Sequence, residues 1–169
     1  MAKNNRVYKT GEYVLRYPQK YKGTKTPKFK SSFEERAFFW CDTNENVLEW
    51  SYEAYPIQYT FSIPKGVTPE EYKLYETLVD NEQHRYYPDI FAKIKTSDGK
   101  IVNYILEIKP YSQTIKPTEP KKKTKKAMNK YLNALQEFLK NKSKWETMEK
   151  YAKDYNMKFW ILTERQLFG

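Results

Sequence analysis

A chain of 169 residues with an apolar share of 39% and an aromatic share of 17% is enough for one domain with a packed core, despite a mean hydropathy of -0.95. The formal charge of +10 and a pI near 9.4 point to a polyanionic partner, nucleic acid ahead of an anionic membrane surface. One cysteine (Cys41) and one histidine (His84) exclude an intrachain disulfide, deprive a zinc cluster of its usual ligands, and leave a Ser-His-Asp triad only His84 to use.

Residues 1–30 are rich in Tyr, Lys and Pro without periodicity and read as a basic arm, either lying over the domain or contacting a partner, or as a partly disordered tail. Met1 to Arg16 has no hydrophobic signal core, and no run of 18 apolar residues follows, which argues against secretion and against a spanning helix. The domain proper is expected over 31–169. Two overlapping capping boxes, Ser31 with Glu34 and Ser32 with Glu35, signal a helix start. Phe33, Ala37, Trp40 and Cys41 then form a stripe, with Glu34 beside it on the side of Phe38 and Cys41. Residues 47–60 read as strand interrupted near Pro56. An insertion follows at 61–83, where Thr68-Pro69-Glu70-Glu71 predicts a short helix over 69–79. Two apolar-rich runs in 84–110 flank Thr96-Ser97-Asp98-Gly99-Lys100, a hairpin signal. A lysine-rich stretch over 116–130 leads to a helix with Ala127, Tyr131, Leu135, Phe138 and Leu139 roughly on one face. Ser143-Lys144-Trp145-Glu146 predicts a separate helix over 144–155, and Met157 to Leu162 a final buried strand.

The register of the hairpin follows from burial. A three-residue loop, Ser97-Asp98-Gly99 with a left-handed glycine, sets Ile90, Ala92 and Ile94 against Leu106, Tyr104 and Val102 on one apolar face. A two-residue Asp-Gly turn sets Ile90 against Glu107 and spoils that match. In the first register Asp89 faces Glu107, with Lys109 two residues along on the same side. Side chains directly opposed have Cβ atoms about 4.5–5.5 Å apart, and two carboxylates that close repel unless a cation, a proton or a basic neighbour intervenes. A divalent cation held by oxygen, Mg2+ or Mn2+, resolves the conflict. A solvated Glu-x-Lys on an exposed strand is the plainer reading of the tripeptide alone.

Pro88-Asp89 followed by Glu107-Ile108-Lys109 resembles the signature of the PD-(D/E)xK nucleases. Ser31-Ser32-Phe33-Glu34, Val47 to Tyr59, Arg85 to Asp89, Leu106 to Pro110, and Lys144-Trp145 through Phe159-Trp160-Ile161-Leu162-Thr163-Glu164 look more narrowly like the head-completion nucleases of tailed bacteriophages. Transposase-associated end-cutting nucleases look similar around the helical glutamate and the Glu-x-Lys. The resemblance implies an α/β fold with a restriction-endonuclease-like core, a mixed β-sheet flanked by helices that acts on double-stranded DNA. The insertion near 61–83 is longer than the resemblance leads one to expect.

The same resemblance implies that Asp89 and Glu107 coordinate one or two Mg2+ ions, with Mn2+ as a substitute, and that Lys109 orients or helps deprotonate the attacking water. Glu34 is the implied third ligand, its alternative being a capping role alone; Glu35 ranks below it. Glu53 is a candidate for a water or a second metal, or an exposed strand glutamate, and Gln136 is weaker still. Arg85 is the better phosphate contact beside His84. Lys116, Lys121, Lys122, Lys123, Lys125, Lys126 and Lys130 form a positive run that would grip phosphates without reading sequence, or simply a solvated helix entry. The implied setting is the host cytoplasm or the virion head, with portal and capsid proteins as candidate partners. A transposition or junction-type nuclease, a non-catalytic head-completion module and a general basic DNA-binding protein are the competing readings. The presence of Asp89, Glu107 and Lys109 together weighs against a vestigial site.

Overall fold

The computed structural model describes residues 9–169; the first eight residues of the predicted arm lie outside them. Four strands form the central sheet: β3 (Val47–Tyr52), β6 (Ile90–Lys95), β7 (Ile101–Ile108) and β8 (Lys158–Leu162), in the order β3-β6-β7-β8. The first three are antiparallel neighbours and β8 runs parallel to β7, so the sheet is mixed. Helix α1 (Ser32–Thr43) covers one face, where Ala37, Phe38 and Cys41 pack on Trp50, Ile90 and Leu106. Helix α3 (Lys125–Asp154) covers the other, where Met148 and Ala152 meet Phe91 and Ile105. This is the expected restriction-endonuclease-like arrangement. Among the described residues no helix is long and apolar enough to cross a membrane.

The β6–β7 hairpin has the three-residue loop. Ile90 pairs with Leu106, Ala92 with Tyr104 and Ile94 with Val102. Thr96 N–H donates to the Lys100 carbonyl at 2.8 Å, and Gly99 takes φ +82°, a conformation that costs an L side chain about 1 kcal/mol or more. Ser31 caps α1 by accepting from the Glu34 amide at 3.2 Å.

Elsewhere the structure departs from the sequence-based expectations. The two helices predicted between 127 and 155 are one helix of 30 residues, because nothing between Leu139 and Trp145 breaks it. Ser143 does not cap; its hydroxyl donates to the Ser62 carbonyl at 3.1 Å and accepts the Ser62 amide at 3.3 Å. The strand is interrupted near Pro56 as expected, but β4 (Ile57–Thr60) then leaves the sheet to pair with β5 (Gln83–Tyr86) as a separate ribbon. Between them, α2 (Pro69–Tyr75) folds back so that Tyr59, Phe61 and Tyr75 bury against Leu135 and Leu139 of α3. Gln136 belongs to this packing, its Nε2 donating to the Leu78 carbonyl at 2.8 Å.

Residues 9–30 run across the α1 side of the domain. Strands β1 (Gly11–Glu12) and β2 (Lys28–Phe29) pair, Phe29 is buried, and Tyr13 meets Phe38 and Trp50 edge-on. The chain closes with α4 (Glu164–Leu167), capped by Thr163.

Candidate active site

Strand β7 lies between two neighbours, so Glu107 near its end is only 1% exposed. By strand alternation its side chain shares the α3 face with Ile105. Strand β6 begins at Ile90, so Asp89 stands one residue outside the ladder. Its carboxylate takes over where the ladder stops, Oδ2 accepting from the Ile108 amide at 2.8 Å. The next amide, Lys109 N–H, points the other way and donates to Leu162 of β8 at 3.0 Å, which fixes the root of the lysine. Lys109 Nζ lies 3.3 Å from Glu107 Oε1, and the Tyr86 hydroxyl donates to the other oxygen, Oε2. Asp89, Glu107 and Glu34 all act on this one ammonium. The expected trio of Asp89, Glu107 and Lys109 is therefore brought together.

Burial raises Asp89 to a pKa of about 6, against the pull of the Ile108 amide and Lys109; Glu34 and Glu53 push in the same direction as burial. Burial also raises Glu107, opposed by Lys109 and Lys144. Burial alone would lower Lys109, but attraction from Glu107, Asp89 and Glu34 wins and holds it above the ordinary lysine value. Two acids and one base thus share a region that water solvates poorly.

Glu34 starts α1, and its carboxylate accepts the Lys30 amide while remaining in electrostatic reach of Asp89 and Lys109. Glu35 is drawn away by Lys9 at 2.9 Å. Glu53 follows β3 with φ +41°, its amide donating to the Asp89 carbonyl at 3.1 Å and its own carbonyl accepting Lys25 Nζ at 3.0 Å. Among the described residues, no three His, Cys, Asp or Glu side chains converge as a ready cage for a metal. One buried carboxylate (Glu107) and one half-buried carboxylate (Asp89) still fit Mg2+, which usually keeps several waters and is bound through one or two carboxylates plus substrate phosphate.

Asp89 gives a prediction of sign as well as size. An unfolded aspartate loses its proton near pH 3.9, whereas the folded one holds it to about pH 6. Folding is therefore opposed by Asp89 ionisation, fully so above pH 6, and the opposition fades as pH falls towards 4. Asp89→Asn in EDTA should gain about 1–3 kcal/mol over wild type at pH 7.5 and lose that gain by about pH 4. Urea unfolding at both pH values checks it; an asparagine protein less stable than wild type at pH 7.5 contradicts the electrostatic description.

The phosphate candidates fall into two groups. Arg85 is exposed on β5, and Lys121, Lys122, Lys125 and Lys126 are exposed around the start of α3. Lys116 pairs with Glu71 at 3.3 Å, Lys123 with Glu119 at 2.9 Å, and His84 with Asp80 at 2.7 Å. Two residues at the site escaped the sequence reading, Tyr86 and Lys144, whose ammonium lies 4.7 Å from the Tyr86 ring centroid and 5.7 Å from that of Tyr59. Tyr86 stands three residues before Asp89, a proximity that could have flagged it. Lys144 reaches the site through the packing of α3, and neither the capping pattern nor the Lys144-Trp145 stretch of the resemblance points to a role there. A cavity of about 570 Å3 lies elsewhere, among Tyr13, Arg16, Phe29, Arg36, Phe39 and Phe168.

A family model described as TnsA-like endonuclease N terminal matches residues 44–164. The chain is also 28% identical, over 156 residues, to a protein of Enterobacteria phage T4 named head completion nuclease, covering 92% of this chain and 91% of that one.

Proposed function

The chain belongs to the TnsA-like N-terminal endonuclease family, and from that premise we propose that it is a divalent-metal-dependent deoxyribonuclease. It hydrolyses phosphodiester bonds in double-stranded DNA during phage head completion or the processing of DNA ends. The observation that carries the reading is Lys109 Nζ, 3.3 Å from buried Glu107 and drawn by Asp89 as well. The phage relative aligns over nearly its whole length, which favours head completion over a transposition role.

Asp89 and Glu107, with Glu34 as a third candidate, would hold Mg2+ or Mn2+, which supplies charge neutralisation at the phosphate and a lowered pKa for water. Lys109 would donate from Nζ to the attacking water and to the phosphate as negative charge builds there. Burial of Glu107 makes that ammonium's field stronger than it would be in open solvent. The products are a phosphate monoester and a free hydroxyl, one water being consumed. Arg85, Lys116, Lys121, Lys122, Lys123, Lys125 and Lys126 are the proposed phosphate contacts, and binding through them should weaken steeply with salt. The proposed setting is the host cytoplasm or the virion head, with portal or capsid proteins as partners.

The test uses purified protein with supercoiled, linear and branched DNA. Nicking or cutting with Mg2+ or Mn2+ is expected, and none in EDTA. Failure to cleave any of the three substrates with either metal would overturn the proposal.

A further inference from the structure

The ribbon of β4 and β5 is outside the central sheet, yet it delivers one hydroxyl to the centre of the site. Tyr86, the last residue of β5, donates to Glu107 Oε2 while Lys109 occupies Oε1. Packing sets where that hydroxyl goes. The Tyr86 ring joins two apolar clusters, one with Ile57, Phe91, Ile105 and Met148, the other with Tyr59, Leu135 and Leu139. It meets Tyr59 edge-on with centroids 6.3 Å apart, and Lys144 lies over it at 4.7 Å. An ammonium over an aromatic face is attracted by the ring quadrupole, which adds a polar restraint to the apolar ones. Both oxygens of Glu107 are thus tied to donors from different elements, and the plane of the carboxylate is fixed.

We propose that Tyr86, held by Lys144 and Tyr59, is a positioning residue that orients the Glu107 carboxylate for a divalent cation. The inference rests on the reading of Asp89 and Glu107 as metal ligands and deepens it by assigning the ribbon a task at the site. Groups behind a metal ligand commonly change metal affinity or activity 10- to 100-fold when removed. Tyr86→Phe keeps the ring, its packing and its lysine, and deletes the hydroxyl alone. Lys144→Met keeps the aliphatic stem and deletes the charge over the ring.

Mn2+ binding to the full chain without DNA, followed by calorimetry and by the electron paramagnetic resonance signal of free Mn2+, reads this directly. Tyr86→Phe should weaken Mn2+ about tenfold or more, and Lys144→Met should weaken it less, in the same direction. In cleavage assays the Tyr86→Phe rate should recover as Mn2+ is raised, whereas a purely structural defect would lower the rate at every metal concentration. Asp89→Ala separates the two ideas. If Asp89→Ala abolishes binding and both Tyr86→Phe and Lys144→Met bind as wild type does, the positioning role is wrong and the metal site stands. If Asp89→Ala binds as tightly as wild type, or wild type binds no Mn2+ at millimolar concentration, the metal site falls and the positioning role with it.

Discussion

Cleavage of DNA with Mg2+ should fall at least about a thousandfold on Lys109→Ala or Asp89→Ala, the order of loss expected when a proton-handling or charge-stabilising group is removed. The two variants should differ in stability, and that difference guards the interpretation. Lys109→Ala strips the nearest cation from Glu107, which is 1% exposed and keeps the Tyr86 hydroxyl. A buried acid that loses its partner either takes up a proton or destabilises the fold, so this variant should melt below wild type at neutral pH. Asp89→Ala removes an acid whose ionisation the fold opposes, but it also strands the Ile108 amide, so its melting point should sit above that of Lys109→Ala. Cleavage rates and thermal melts of both proteins in the same buffer test this. Cutting at the wild-type rate by either variant would remove Lys109 and Asp89 from the chemistry.

The parts of this site legible in the sequence were those fixed by short-range patterning. The hairpin register could be read because a slip of one residue would drive Glu107 onto the apolar face of Ile90 and Leu106. The helix start at Ser31 was legible because capping involves neighbouring residues alone. What escaped notice depends on contacts distant along the chain. Tyr86 reaches Glu107 across 21 residues, and only the departure of β4 from the sheet puts it there. The break predicted at Ser143 followed a valid local signal, but Ser62 competes for the same hydroxyl from 81 residues away. Local rules cannot rank such partners, because their contribution is set by tertiary packing.

Asp42 gives the largest stability effect expected from one substitution, and its surroundings contrast with those of the acids in the candidate site. Near the end of α1 it is fully buried, and no local pattern singles it out. Unlike Asp89, it is generously supplied with donors. Oδ2 accepts the Tyr13 hydroxyl at 2.9 Å and the Arg16 amide at 2.7 Å, and Oδ1 accepts the Tyr17 amide at 3.1 Å. Lys20 adds its ammonium to the Asp42 and Asn44 carbonyls at 2.8 and 2.7 Å. One carboxylate thereby pins residues 13–17 to the α1 face of the core. Asp42→Ala leaves a hydroxyl and two amides without acceptors beside a cation, a change that should cost about 3–5 kcal/mol. For a domain of this size that is a drop in melting temperature of about 10 °C. Residues 9–30 should become the first site of limited proteolysis, while cleavage activity per folded molecule stays near wild type, because none of these donors touches Asp89, Glu107 or Lys109. Urea unfolding with parallel proteolysis measures both. A loss below about 1 kcal/mol, the size of one ordinary hydrogen bond, would mean that apolar packing through Tyr13 and Phe29 holds this segment without the carboxylate.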